Sequence, residues 1–384
     1  MVTTTSADSA LRSYYLDAVT EQLNRSANPF LAAIEQTTSD VWGKDVKKTV
    51  VCGLHGGIGA GTEDGDLPAS STNGYAQLTA TLKNLYGKIE ISDKALRASR
   101  NDESAFVDLL NEEMNGLVRS SSFNLGRMLF GDGTGKLATI SSATGTTYTV
   151  DSTRNLATGM IVDVISGEGA AVATARTITA VDHNKKTVSV SGSTVSGVTN
   201  CGLYVQNSRN LELTGLGAIF SDSTTLYGLN RSENGWLTPT IIKEVGTLSE
   251  LNVQTAIDRV EETSGGQINF IICSWGVKRA LYNVLSKYRQ CDSVTLEGGT
   301  RAITFNGIPV VADRFCPSGT MYLLNTNDFH LHQLCDWQWL EGENGRVLNQ
   351  IPGKPVYQAT LVKYAELMCY RPCGQAMMSG ITEK

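Results

Sequence analysis

Lys47-Lys48-Thr49-Val50-Val51 runs into a glycine-rich stretch, and Gln77-Leu78-Thr79-Ala80-Thr81-Leu82 runs back out of it. The returning residues alternate, with Leu78, Ala80 and Leu82 on one face and Gln77, Thr79 and Thr81 on the other, which is the period of a half-buried strand. The alternation changes phase between Asn84 and Gly87 and resumes with Ile89 and Ile91 against Lys88 and Glu90, so a bulge or bend is expected there. Between the arms lie Gly53, Gly56, Gly57, Gly59, Gly61, Gly65 and Gly74 with Pro68, and no apolar run. Such a tip cannot build its own core. Two arms of roughly 16 residues at about 3.3 Å each would reach on the order of 50 Å, against about 55 Å for a compact globule of this chain length. Isolated two-stranded ribbons are marginal in water. The pattern therefore predicts a hairpin that leaves its own body and rests Leu78, Ala80, Leu82, Ile89 and Ile91 on a neighbouring subunit.

Directly after the hairpin, Asp102 to Phe130 places Phe106, Leu109, Leu110, Met114, Leu117, Val118, Leu125, Met128 and Leu129 at three- and four-residue steps, a long amphipathic helix. Gly116 and Gly126 weaken it locally, and Gly131-Asp132-Gly133 ends it. Before the hairpin, Leu11, Tyr14, Tyr15, Ala18, Val19 and Leu23 share one helical face that stops near Asn28-Pro29. This segment reads as a short amphipathic arm, with Leu11 and Tyr15 as further contacts to a neighbour.

The rest of the chain changes character twice. From Thr134 to about Asn210 it is rich in Thr, Ser, Val and Gly, with short strands at Thr147–Val150, Met160–Ile165, Arg176–Val181 and Thr187–Val190. Asp182-His183-Asn184-Lys185-Lys186 forms a hairpin loop between the last two. These residues predict a small all-β unit, sandwich or barrel, set between two parts of the main body. After a loop-rich return to Trp236, a helix from near Asn252 carries Val253, Ala256, Ile257 and Val260 and stops at Gly265-Gly266. The buried strand Ile268–Cys273 follows, and then Ser274 caps a helix bearing Val277, Ala280, Leu281, Val284, Leu285 and Tyr288. Asn306-Gly307 is a strong hairpin signal, and strands at Met321–Leu324, Phe329–Leu334 and Tyr357–Tyr370 complete a mixed α+β layer.

Composition sets the outer bounds. The chain has 384 residues, 41% hydrophobic and 18% charged, room for two or three domains with real cores. A formal net charge of -6 argues against a dedicated nucleic-acid binder, since phosphate neutralisation needs a concentrated basic surface. The eight cysteines are scattered, which fits reduced thiols made in a cytoplasm. Met1 to Asp8 shows no export signal, and no window approaches the roughly 20 apolar residues of a membrane span.

Arm, extended loop, spine helix, α+β domain with an Asn-Gly hairpin and long returning strand, in that order, resemble the major capsid proteins of tailed phages, the Hong Kong 97-like fold. Phe305-Asn306-Gly307-Ile308-Pro309-Val310-Val311-Ala312-Asp313 followed by Met321-Tyr322-Leu323-Leu324 is similar to that family's axial-domain hairpin and strand. Tyr370-Arg371-Pro372-Cys373-Gly374-Gln375-Ala376-Met377 is similar to its closing stretch.

The resemblance implies an N-terminal arm at 1–46, an extended loop at 47–92, a peripheral domain at 93–133, 211–251 and 356–384, and an axial domain at 252–355. The all-β unit at 134–210 is an insertion. It implies a non-enzyme that self-assembles as pentamers and hexamers into an icosahedral head around double-stranded DNA. The shell is assembled in a bacterial cytoplasm and found in the virion, bound neither to membrane nor to specific DNA sequence. A portal and a decoration protein would be partners. The short arm leaves no room for a built-in scaffolding domain, so a separate scaffolding protein is expected. No lysine occurs between Thr49 and Leu82, so the tip lacks the amine of a covalent cross-link. A cellular nanocompartment shell of the same fold, an encapsulin, is the alternative. A carbohydrate-binding adhesin is a second alternative, of another class.

Catalytic and ligand motifs fail on their details. Gly57-Ile58-Gly59-Ala60-Gly61 imitates a dinucleotide loop, but Glu63, Asp64 and Asp66 follow where a helix N-terminus should receive phosphate. Gly135-Lys136 lacks the rest of a P-loop, and Asp64-Gly65-Asp66 lacks the later ligands of a calcium loop. His330, His332 and Cys335 match no common zinc spacing, and Cys369 and Cys373 read as packed thiols. Trp337 and Trp339 suit core or interface packing. No cofactor is expected.

Overall fold

The computed structural model describes residues 28–94, 103–286, 293–295, 301–341 and 347–384. The arm contacts expected at Leu11 and Tyr15 lie outside the described residues. None of the described helices is long and apolar enough to cross a membrane.

The body is built on the strand Val356–Cys369. One of its edges pairs antiparallel with Phe329–Trp339 and then Asn349–Gln350, and the other with Lys83–Ser92, from Val356↔Ser92 to Ala365↔Lys83. Glu35–Thr37 adds in parallel to Phe329–Trp339. Across this sheet lies the helix Glu103–Leu129, burying Met114, Val118, Leu125, Met128 and Leu129. Glycines set the approach distances. A Cβ on Gly87 would come within 2.8 Å of Leu117, so the glycine lets the helix sit close over the strand. At Gly126 a Cβ would collide with Asn28 and Phe315, so that glycine admits both into the helix surface.

A second layer is a seven-stranded sheet in the order Thr240–Ile242, Ala376–Met378, Met321–Leu324, Phe270–Cys273, Ile308–Ala312, Arg301–Phe305, Ser293–Thr295. Its central strand alternates between two cores. Ile271 and Cys273 face the helices Glu250–Ser264 and Trp275–Ser286, while Phe270 and Ile272 face the body. Burial on both sides explains why Phe270–Cys273 is an unbroken apolar run. Asn306 and Gly307 both take positive φ, +49° and +81°, as a two-residue hairpin turn requires.

Residues Lys136–Val205 close into a six-stranded barrel, whose interior is filled by Ile140, Tyr148, Val150, Val162, Val164, Ile178, Val188 and Leu203. Its stem is pinned where the chain leaves the long helix and returns. Arg127 forms a bidentate pair with Glu212 at 2.7 and 2.6 Å, and Arg154 of the barrel unit donates to the Cys316 carbonyl at 3.0 Å.

The hairpin differs from the sequence expectation. Its ladder is seven pairs long, from Asp45↔Thr81 to Val51↔Tyr75, not sixteen. The phase change falls at Leu82–Leu85, earlier than the Asn84–Gly87 expected from the spacing, and the chain switches sheets there. Leu82 N–H donates to the Lys44 carbonyl at 2.9 Å, and from Lys83 onward the backbone pairs with the C-terminal strand. The ten-pair ladder occupies an edge of the C-terminal strand and keeps Lys83–Ser92 within the body.

Candidate interaction surface

What remains outside the body is the segment from Cys52 to Gly74. It leaves the ladder at Val51↔Tyr75, and Cys52 N–H donates to the Gly74 carbonyl at 2.9 Å. Beyond that point the segment forms no strand, and its turns are local, such as Gly65 N–H to the Thr62 carbonyl. Leu54, Ile58 and Leu67 are 97%, 85% and 90% exposed, and Val51 and Tyr75 at the neck are also exposed. Glu63, Asp64 and Asp66 make the segment acidic, with no lysine or arginine. Burying an aliphatic side chain of this size is worth about 1.5–3 kcal/mol. Three left in water are therefore available to a partner that covers them.

The base of the hairpin is rigidly tied. Val46 and Leu78 are fully buried, and Thr79 N–H donates to the Tyr227 carbonyl at 3.0 Å. The Tyr227 hydroxyl in turn donates to the Leu367 carbonyl and accepts from Cys369 N–H. On the other side Lys48 pairs with Asp40 at 2.7 Å and stands 5.2 Å from the centre of the Tyr370 ring. His332 completes this latch. Its Nδ1–H donates to the Ser39 carbonyl at 2.9 Å, which leaves Nε2 to accept from the Tyr370 hydroxyl at 2.8 Å. Burial holds the imidazole below its ordinary pKa, so the ring is neutral. His330 stacks on Tyr370 at 4.3 Å and meets Glu35 at 3.2 Å.

Between the hairpin base and residues 214–228 lies a groove of about 490 Å³, lined by hydroxyls and by Lys83, Asp132 and Glu366. Glu366 is buried, and burial pushes its carboxyl up to about 7, against hydrogen bonds from Thr214 N–H at 2.7 Å and from Leu367 N–H.

The expected contact residues divide differently from the sequence reading. Leu78, Leu82 and Ile89 are 0%, 8% and 8% exposed within their own chain's core, and Ala80 and Ile91 pack against it. Leu78, Leu82 and Ile89 are thus part of the subunit's own core, while Ala80 and Ile91 stay partly accessible at its margin. The exposed residues are Leu54, Ile58 and Leu67, which sequence reasoning passed over because they stand singly among glycines without periodicity. His330 and His332 are engaged with Tyr370, Ser39 and Glu35, and no group of three metal-ligating side chains occurs among the described residues. Trp337, Trp339 and Cys369 are buried in the core.

No family model and no curated protein matches this chain. Solved structures do. A chain of the cyanophage A-1(L) capsid aligns with a TM-score of 0.57 at 13% identity, over 95% of this chain and 93% of that one. An encapsulin complex from Synechococcus elongatus aligns at 0.47 and 11% identity, covering 93% and 89%. The capsid of a native GTA particle aligns at 0.48 and 11%, covering 94% and 91%. The first of these likenesses shows the fold: the mixed α+β architecture is that of a phage capsid protein.

Proposed function

We propose that this chain is the major capsid protein of a tailed phage, of Hong Kong 97-like organisation with the barrel as an insertion. It forms pentamers and hexamers that close into a shell around double-stranded DNA. The observation that carries the proposal is the segment 52–74, which leaves a firmly tied base and exposes Leu54, Ile58 and Leu67 with nothing of its own chain over them. The capsid fold supports the same reading. The mechanism is geometric. Each copy lays its tip on the next, and many modest burial events, repeated around a closed shell, hold it together. Scaffolding, portal and decoration proteins are the partners this role requires, and assembly takes place in the bacterial cytoplasm.

Negative-stain microscopy of the purified chain tests it. Hollow shells or rings of five and six are expected, and a discrete monomer would overturn the proposal. Shells recovered with a packaged enzyme and no DNA would support the nanocompartment instead.

A further inference from the structure

Where the barrel joins the body, the chain surrounds a small cavity of about 40 Å³. Its wall comes from three places: Arg127 in the last turn of the long helix, Lys136 and Glu212 where the chain enters and leaves the barrel, and Arg154 and Asn155 after the barrel strand Thr147–Val150. Asp132 also lines it and is exposed to solvent, and Phe130 and Phe315 supply an apolar side. The stem is drawn tight here. Asn210 N–H donates to the Thr134 carbonyl at 2.8 Å, and Gly135, at φ +79°, runs so near Glu212 that a Cβ would stand 3.0 Å from its carboxyl carbon.

Three polar atoms of this wall are buried without a hydrogen-bond partner: Arg127 Nε, Arg154 Nε and Asn155 Oδ1. Arg127 is 4% exposed, and its two Nη groups are engaged by the Glu212 carboxylate, which leaves Nε–H as the donor still to be met. Arg154 donates from Nη1 to the Cys316 carbonyl at 3.0 Å, and among the described residues no carboxylate stands within ion-pair distance of it. The buried carboxyl of Asp313 feels its charge from beyond that distance and is held by Phe315 N–H at 2.7 Å. Burial also holds the Arg154 guanidinium below its ordinary pKa. A cation taken out of water with no counter-ion is a costly arrangement.

The chemistry of the wall selects what would relieve it. Arg127, Lys136 and Arg154 against Asp132 and Glu212 leave one positive charge in excess. Guanidinium groups only donate, and turning the Asn155 amide over, an exchange of two nearly isosteric groups, brings a third donor to the place of Oδ1. A water that accepted from these groups would need acceptors for its own hydrogens, and the two carboxylates are already engaged by Arg127 and by Thr134. An anion accepts from all the donors and needs nothing in return. A water takes about 10–15 Å³ on this measure, so the cavity has room for a halide and none for an organic phosphate.

We propose that the cavity binds one small monovalent anion of the size of chloride, held by Arg127 Nε–H, Arg154 Nε–H and the Asn155 amide, and that this ion ties the barrel to the body. The site belongs to the joint within one chain and is independent of what the chain assembles into.

The test is a thermal melt of the full chain by circular dichroism in sodium chloride and in sodium methanesulfonate, a larger anion, each at about 150 mM so that screening is matched. Chloride should raise the wild-type midpoint by about 2 °C, the shift given by an ion at about ten times its dissociation constant, and bromide should do the same. Two variants separate the cavity from the surface. Arg154→Met removes the unpaired cation and should melt at one temperature in both salts. Asn155→Asp supplies the negative charge from the chain itself at almost the same size. In methanesulfonate it should melt at least as high as the wild type does in chloride, with no further response to chloride. Equal wild-type midpoints in the two salts would overturn the proposal and leave the cavity to water. A chloride shift undiminished in either variant would also overturn it and assign the effect to exposed cations elsewhere.

Discussion

Arg127 and Glu212, eighty-five residues apart, face each other fork to fork, each with its side chain 3% exposed, where the barrel leaves the long helix and rejoins the body. Two buried charges in this geometry satisfy one another, and removing one strands the other. Glu212→Leu should lower stability by about 3–5 kcal/mol in urea unfolding. The double variant Arg127→Met with Glu212→Leu should recover most of that loss. A single variant as stable as the wild type would mean that the pair does not hold the stem.

Two buried titrating groups beside the hairpin base pull stability in opposite directions. The Glu366 carboxyl is raised from 4.5 to about 7, so the folded chain binds a proton that the unfolded chain has released, and stability falls as pH rises through that window. His332 is held below 6.5 by burial, so its contribution is intact at neutral pH and is lost as pH falls below that value. Glu366→Gln can still accept from Thr214 and Leu367. It should melt higher than the wild type at pH 8 and nearly the same at pH 4.5. Equal melting shifts at both pH values would rule out titration of Glu366 as the cause.

Much of the architecture is legible in the sequence because it rests on periodicity. The long helix, the Asn306-Gly307 turn and the doubly buried strand at Phe270–Cys273 follow from apolar spacing and turn chemistry alone. The hairpin is where the reading goes astray. An alternating arm looks the same whether its partner is the preceding arm or a strand 270 residues later, and sequence spacing cannot show that Lys83–Ser92 pairs with Val356–Ala365. The phase change was the available signal, and it marks a change of sheet rather than a bulge within one ribbon. The tip residues were hidden for the opposite reason, since isolated leucines among glycines have no period to read.

Leu78 is fully buried in its own subunit. Leu78→Ala should cost about 2–5 kcal/mol of subunit stability, and Leu78→Asp should prevent a soluble folded chain from forming. A folded Leu78→Asp subunit that failed only in assembly would restore the view that this face is offered to a neighbour.

The two glycines of the long helix should part company. Nothing lies within 4 Å of a Cβ built on Gly116, so Gly116→Ala should gain about 0.5–1 kcal/mol from helix propensity. At Gly126 the same methyl meets Asn28 and Phe315, and Gly126→Ala should lower the melting temperature. Both are read in one thermal-melt series, and a gain at both positions would contradict the packing described at Asn28.

The most direct measurement compares the wild type with Leu54→Ser/Ile58→Ser/Leu67→Ser in sedimentation velocity, with the melting temperature of each subunit alongside. All three side chains are exposed, so subunit stability should stay within about 0.5 kcal/mol. The wild type should sediment as rings or shells and the variant as single subunits. A variant that assembles as fully as the wild type would contradict the claim that the tip is held by the next copy.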